Sequence, residues 1–235
     1  MKVSLCTIAS RKDCCLKTIE SLMNQTYPVD IHLFLSEEPF LLDKGFPNKE
    51  IWPELEKLPV TIHWVPNWGC YRKTVSFMKE FPNEVFLAVD DDEEFHPDFV
   101  KTALKYYKNS KCSTMAFRAT MMSKNPYNSW ESVVTPSTSL YYWHKGNGGV
   151  IYDSSLFQKP DFFDREVFLR LAPTSDDIWM NLWRIKRCLD VFVFPINHHP
   201  MPQEERLWFY NGDKNDTMIK EVQDWLEMIN WRYQA

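Results

Sequence analysis

The sequence lacks the long apolar runs and the basic tracts that mark membrane-spanning and nucleic-acid-binding proteins. No apolar run approaches the ~18 residues that a transmembrane helix needs. Arg11, Lys12 and Asp13 interrupt the N-terminal apolar run too early for a signal peptide. The formal net charge of the 235 residues is −5, which argues against a nucleic-acid partner. The composition therefore favours a globular protein that is long enough to bury a substantial core.

Cysteine is also scarce, and it is not arranged in pairs. The six cysteines include no C-x-x-C motif, and the neighbours Cys14 and Cys15 are poorly placed to bridge. Thiols used as small apolar side chains are typical of a reducing compartment. We therefore expect a cytoplasmic protein.

Glycine is limited to six residues, and its only cluster is Gly146-Asn147-Gly148-Gly149. The sequence has neither a Walker motif nor a G-x-G-x-x-G fingerprint, and we expect no strand ahead of this cluster. Such a cluster is a loop more often than a site, although glycine also lets a ligand approach the backbone closely.

What the chain does contain is an alternation of strand-like and helix-like apolar segments. Residues 2–8 and 31–35 are predicted strands, and the helix between them has an apolar stripe at Leu16, Ile19 and Leu22. This order implies parallel strands with a right-handed crossover. Further strands are predicted at residues 61–65, 85–89, 114–120 and 191–194, and further helices at 71–80, 97–108, 176–186 and 218–231. We expect an α/β fold with one mostly parallel, twisted sheet flanked by helices, and a C-terminal helix.

One stretch organises this pattern: the apolar residues 85–89 run directly into Asp90-Asp91-Asp92-Glu93-Glu94. Five consecutive apolar residues indicate a strand buried on both faces, and ligands of open α/β sheets bind outside the carboxyl ends of strands. Adjacent carboxylates raise one another's pKa unless a cation offsets them. Mg²⁺ or Mn²⁺ is the natural counter-charge, and the alternative is a solvated acidic loop.

Three other groups could carry chemistry, and each has an ordinary structural alternative. Asp176 and Asp177, at a predicted helix start, are either caps or a general base. Lys73 either reaches a diphosphate or belongs to a solvated face. His198 and His199 either help to bind Mn²⁺ or are structural.

The order of these motifs resembles the nucleotide-sugar-dependent glycosyltransferases of the GT-A fold. Residues 3–28 look like the first strand and helix of family-2-like members, and 89–92 look like the D-x-D metal motif. Residues 146–150 are similar to the acceptor-side glycine loop, and 175–179 occupy the place of the x-E-D motif. Residues 68–73 resemble bacterial members that act in surface-polysaccharide synthesis. The resemblance implies a Rossmann-like GT-A domain over residues 1–235, with a nucleotide-sugar-binding half at 1–120 and an acceptor-side half, including the C-terminal helix, at 121–235.

The resemblance also implies roles for individual residues. Asp92 and Asp90, with His199 or His198, would hold the Mn²⁺ or Mg²⁺, and Asp177 or Asp176 would be the base of an inverting transfer from a UDP-sugar to a glycan or lipid-linked hydroxyl. The remaining donor-site residues would be Thr7, Ala9, Arg11, Lys73, Asp90, Asp91, Gly148 and Gly149. Trp143, Trp179 and Trp183 are either sugar platforms or core. The position of the family's usual acidic residue after the second strand is taken by Ser36-Glu37-Glu38.

Two other functions compete with this one. A sugar nucleotidyltransferase would also use an α/β sheet with a metal ion at its edge. Residues 9–12, however, lack the glycine-rich signature with which such enzymes hold a triphosphate. A non-catalytic carbohydrate- or nucleotide-binding protein would not need the retained acids. The sequence leaves open the oligomeric state and whether the C-terminal helix touches the inner membrane.

Overall fold

The computed structural model describes residues 1–196, 201, 211 and 214–228. The strands are β1 Lys2–Cys6, β2 Asp30–Leu35, β3 Val60–Trp64, β4 Val85–Ala88, β5 Thr114–Ala116, β6 Ala119–Met121, β7 Ser137–Ser139, β8 Tyr142–His144, β9 Val150–Asp153 and β10 Val191–Val193. The α-helices are α1 Lys12–Met23, α2 Val75–Glu80, α3 Phe99–Ser110, α4 Arg165–Leu171, α5 Asp176–Lys186 and α6 Lys214–Trp225.

Eight strands form the main sheet, in the order β3-β2-β1-β4-β9-β5-β10-β7. The four N-terminal strands β1 to β4 pair in parallel, as does β10 with β5. Strand β9 runs antiparallel between β4 and β5, and β7 closes the far edge antiparallel to β10. The predicted mostly parallel α/β sheet with flanking helices is therefore confirmed.

Both faces of the sheet are covered, which explains why its strands are continuous apolar runs. Because side chains alternate along a strand, Leu87 and Val89 pack with α1 and α3 on one face. Phe86 and Ala88 pack with α2, α5 and α6 on the other. The carboxyl end of β4, where the acidic residues begin, therefore lies between two apolar layers.

Two predictions about the strands are wrong. The strand predicted at 114–120 is two strands, because the chain leaves the main sheet at Phe117, and β6 then pairs with β8 in a separate two-stranded sheet. Phe117 packs in the same apolar layer as Phe99. Strand β8 also lies directly ahead of the glycine cluster, where no strand was expected.

The C-terminal helix is confirmed, although the structure places its start earlier than residue 218. Helix α6 runs over Lys214–Trp225, and residues 229–231 of the predicted 218–231 lie outside the described residues. Its apolar stripe is buried against the rest of the fold, as expected of a docking face: Met218, Ile219, Val222 and Leu226. The predicted helix 71–80 begins as a 3₁₀ turn, Gly69–Lys73, and becomes α-helical at Val75. Among the described residues, no helix is long and apolar enough to cross a bilayer.

Candidate functional site

A cavity of about 830 Å³ opens where β1 and β4 end, at the carboxyl edge of the parallel strands. Both acidic groups of the sequence line it, although more than 80 residues separate them along the chain. The polar residues around it include Thr7, Arg11, Asp43, Arg72, Lys73, Asp90, Asp91, Asp92, Arg118, Tyr127, Asn128, Lys145, Asn147, Asp176 and Asp177. The fold therefore brings most of the predicted site residues to one place.

The first acidic group is held from two sides. Thr7 Oγ1 donates to Asp91 Oδ2 at 2.6 Å, and Arg11 Nη1 donates to Asp91 Oδ1 at 2.7 Å. Thr7 follows β1, and the 3₁₀ turn Ala9–Arg11 follows it, so the end of the neighbouring strand supplies both partners. The side chain of Asp91 is consequently fixed beside Arg11.

The remaining acids of this group fit a divalent cation. One carboxylate oxygen each from Asp90, Asp92 and Glu93 lies within 4.8 Å of the others. Burial, together with the charges of Asp90 and Asp91, raises the pKa of Asp92 to about 7. A set of hard oxygen atoms with excess negative charge suits Mg²⁺ or Mn²⁺. Glu93, which the sequence did not single out, also accepts a hydrogen bond from the Gly148 N–H at 2.7 Å.

Lys73 stands between the two acidic groups. Its ammonium is 2.5 Å from Asp90 Oδ1 and 3.9 Å from Asp176 Oδ2, and Ser4 Oγ anchors its backbone carbonyl at 2.7 Å. Burial disfavours the ammonium, but Asp176 and Asp90 outweigh this and raise the pKa of Lys73 well above its usual value. Lys73 is therefore a fixed positive charge at the centre of the cavity.

The second acidic group begins α5, as predicted, and its two carboxylates have different surroundings. Asp176 accepts from Thr74 Oγ1 at 3.1 Å and faces Lys73, whereas Asp177 accepts from the Gly146 N–H at 2.9 Å. Burial and the neighbouring Asp176 raise the pKa of Asp177 to about 7. A carboxyl with this pKa can exchange a proton near neutral pH.

The glycine cluster contributes differently from the prediction. A Cβ atom on Gly146 would lie only 2.8 Å from Asp177 Oδ1, so this glycine makes room for the carboxylate. Gly148 and Gly149, which the resemblance assigned to the donor site, are not among the cavity-lining residues. Gly149, with φ of 94°, packs against Phe99 and Leu87 in the core.

Several other predicted residues lie away from the cavity or cannot be placed. Ala9 does not line it, whereas Ile8 and Arg11 on either side do. His198 and His199 lie outside the described residues. The tryptophans weighed as sugar platforms are buried core residues instead: Trp143, Trp179 and Trp183.

Several residues that line the cavity were not predicted as a site from the sequence. Arg72 Nη2 donates to Asp43 Oδ2 at 2.9 Å and to the Thr7 carbonyl at 3.1 Å, and the Arg72 and Asp43 side chains are both buried. This ion pair joins the loop after β2 to the end of β1. The only sequence signal for it was the Asp43–Gly45 spacing, since Asp43 Oδ1 accepts from the Gly45 N–H in a tight turn. Arg118 and Lys145 were missed as well, because no motif surrounds them.

No family model matches the chain, and no curated protein sequence does. Solved structures do match. The chain is similar to S. aureus TarS 1–349 in complex with UDP-GlcNAc, at a TM-score of 0.60 and 12% identity, covering 94% of this chain and 66% of that one. The same TarS segment in complex with UDP gives a TM-score of 0.58 and 14% identity, with 94% and 65% covered.

The chain spans just under two thirds of that TarS segment and 39% of the longer TarS chain. A CMP-2-keto-3-deoxy-manno-octonic acid synthetase complexed with CTP matches more weakly, at a TM-score of 0.49 and 8% identity, with 95% of this chain and 100% of that one covered. The sheet, its flanking helices and the two TarS matches together show that this chain has a GT-A-like fold.

Proposed function

We propose that the protein is a metal-dependent, inverting glycosyltransferase. It would move a sugar from a nucleotide-diphosphate donor, a UDP-sugar, to a hydroxyl group of a glycan or lipid-linked acceptor. One observation carries the proposal: a cluster of acids suited to a divalent ion and a carboxyl with a pKa of about 7 line the same cavity, and Lys73 lies between them. The UDP and UDP-GlcNAc complexes of TarS support the donor class.

In this proposal the donor lies at the end of β4. Asp92 and Asp90 would hold Mn²⁺ or Mg²⁺, whose contribution when bound is to stabilise negative charge on the departing diphosphate. Lys73 adds a fixed positive charge beside the same group. Asp91, held by Thr7 and Arg11, is positioned for the ribose hydroxyls. The donor residues thus come from the 1–120 half of the chain.

The acceptor would meet the donor at Asp177, in the 121–235 half. We assign the base to Asp177 because the Asp176 carboxylate is already engaged by Thr74 and Lys73, although burial raises the pKa of Asp176 as well. As the acceptor oxygen attacks the anomeric carbon, its proton passes to Asp177 and the bond from that carbon to the diphosphate oxygen breaks. Attack from the face opposite the diphosphate inverts the configuration. A base with a pKa near the working pH suits this transfer.

The test separates the two acidic groups by substitution. Asp92→Ala should abolish metal-dependent UDP-sugar binding, seen as loss of the Mn²⁺-dependent thermal shift. Asp177→Asn should keep that shift and lower UDP release by about 10²–10⁴-fold. Asp161→Asn, an exposed acid away from the cavity, serves as the matched control. Full activity in both site variants would refute the proposal, as would pyrophosphate release from a nucleoside triphosphate and a sugar 1-phosphate.

A further inference from the structure

In the part of the chain that the structure describes, five cationic side chains line the cavity, and they fall into two sets. Arg11 pairs with Asp91 at 2.7 Å, Arg72 pairs with Asp43 at 2.9 Å, and Lys73 contacts both Asp90 and Asp176. The other two are Arg118 and Lys145. Among the described residues, neither of these two has a carboxylate partner.

Arg118 and Lys145 are held side by side by the small β6–β8 sheet. Arg118 precedes β6, Lys145 follows β8, and the Lys145 N–H donates to the Arg118 carbonyl at 2.9 Å. Both side chains are half-buried. Burial and the nearby Arg118 lower the pKa of Lys145. The charge of Asp177 offsets part of this effect. Two adjacent, partly desolvated cations with no ion-pair partner among the described residues still make a favourable place for an anion.

The position of this pair links it to the acceptor rather than to the diphosphate. Lys145 directly precedes Gly146, whose N–H holds Asp177, so the pair adjoins the proposed base. Lys145 Nζ also lies 6.0 Å from the centre of the Tyr127 ring, on the same wall. The donor end already has Lys73 and Arg11 against its acids.

The pair also opens toward a second cavity. This smaller space, about 320 Å³, shares Arg118 and Lys145 with the main cavity. Its other lining residues are Phe117, Ala119, Ser132, Val133, Val134, Pro195 and Ile196. A molecule held by the two cations could therefore place its hydroxyl beside Asp177 and extend away from the donor into this smaller cavity.

We propose that Arg118 and Lys145 form an anion-binding subsite for the acceptor, so that the acceptor carries a phosphate or carboxylate group next to its reacting hydroxyl. This inference rests on the proposed function. It adds a substrate class: an anionic sugar, or a sugar linked through a phosphate. The two cations are positioning groups, because they orient the acceptor and do not touch the reacting bond.

The test measures UDP release from a UDP-sugar that the wild-type protein uses, and it compares matched acceptors. Neutral octyl glycosides are set against the same glycosides carrying a phosphate or a carboxylate. A further arm compares a water-soluble sugar phosphate with a polyprenyl-diphosphate-linked sugar in detergent, which distinguishes the two sources of phosphate. We expect the wild-type kcat/KM to favour the anionic acceptors by at least about tenfold.

Substitutions of the pair should remove this preference. R118Q combined with K145Q should raise the KM for the anionic acceptor by about tenfold, while the KM for the UDP-sugar changes less than twofold. R118K combined with K145R should restore most of the preference, since the charges remain. Lys159→Gln, an exposed lysine away from both cavities, is the control. Should the double variant fail to fold, higher salt should raise the wild-type KM for the anionic acceptors but not for the neutral ones.

Two results would overturn the subsite. One is equal use of neutral and anionic acceptors by the wild-type protein. The other is a variant that raises the KM for the UDP-sugar and keeps the acceptor preference, which would assign the pair to the donor. Mn²⁺-dependent binding of the UDP-sugar in the absence of acceptor is measured separately by thermal shift, because its absence in the wild-type protein would refute the proposed function itself and not the charge of the acceptor.

Discussion

The two acidic groups of the cavity each contain a carboxyl with a raised pKa, but the neighbours of these carboxyls differ. Asp92 and Asp177 both have a pKa of about 7, and burial is the largest cause in each case. The carboxylates of Asp90 and Asp91 raise the pKa of Asp92 further, and the carboxylate of Asp176 raises the pKa of Asp177 further.

The surroundings also differ in what they could bind. Asp90 and Glu93 place oxygen atoms within 4.8 Å of Asp92, as a cation requires. Asp177 is held instead by the Gly146 amide, and neither it nor Asp176 belongs to that cluster. A perturbed pKa therefore marks both positions as candidates, and only their neighbours distinguish a metal ligand from a base.

Lys73 is the residue that both groups share, so its removal should have the largest effect on stability. Lys73→Met leaves Asp90 and Asp176 without their common cation, and we expect the free energy of unfolding to fall by about 3 kcal/mol at pH 7. Chemical denaturation measures this loss. Lys73→Arg should keep most of the stability, and the exposed Lys159→Met should keep all of it. A Lys73→Met protein as stable as the wild type would show that the two groups are not coupled.

Gly146→Ala sharpens the comparison because it perturbs one group alone. The new methyl group would meet Asp177 Oδ1 at 2.8 Å and displace the carboxylate. A displacement of this kind should lower kcat by about 10–100-fold. Metal-dependent UDP binding, measured by thermal shift, should stay unchanged because Asp90 and Asp92 are untouched. A fall in UDP affinity with unchanged kcat would contradict the separate roles.

The pH dependence of turnover should report Asp177. Because a base must be ionised, kcat measured with saturating metal should rise with pH through an apparent pKa of about 7. Asp177→Asn should abolish this rise. A profile that is flat between pH 5 and 9 in the wild type would exclude a titrating base at this position.

Ionisation of the same carboxyl lowers the stability of the folded protein. Its folded-state pKa is raised above the ~3.9 of an unfolded carboxyl. Its stabilising contribution is thus complete below about pH 4 and is lost as the pH rises through about 7. In metal-free buffer, Asp177→Asn should match the wild type at pH 4 and gain relative stability by pH 8. Parallel denaturation curves at the two pH values test the difference. An Asp177→Asn protein that lost stability relative to the wild type on going from pH 4 to pH 8 would contradict it.

Local patterns sufficed to predict the elements that bear the acids. The apolar residues before Asp90 had to form a buried strand, and Asp176 and Asp177 favour a helix start because their charge complements the helix dipole. Both predictions match β4 and α5. Parallel pairing then places the strand ends at one edge, which is why Thr7, Arg11 and Asp91 could be expected together.

Contacts that depend on long-range geometry could not be predicted in this way. Arg118 and Lys145 meet only because the chain leaves the main sheet at Phe117 and forms the β6–β8 pair. The importance of Gly146 over Gly148 and Gly149 follows from the position of α5 against the loop, which no local rule supplies. The buried pair Arg72–Asp43 likewise joins two loops that are distant in sequence.

Calorimetric titration of a UDP-sugar, with and without Mn²⁺, into Asp92→Asn and Asp177→Asn proteins tests the central claim most directly. We predict that Asp177→Asn binds the donor with the wild-type dependence on Mn²⁺, while Asp92→Asn loses that dependence. Donor binding that is equally metal-dependent in both proteins would contradict the division of work between the two acidic groups.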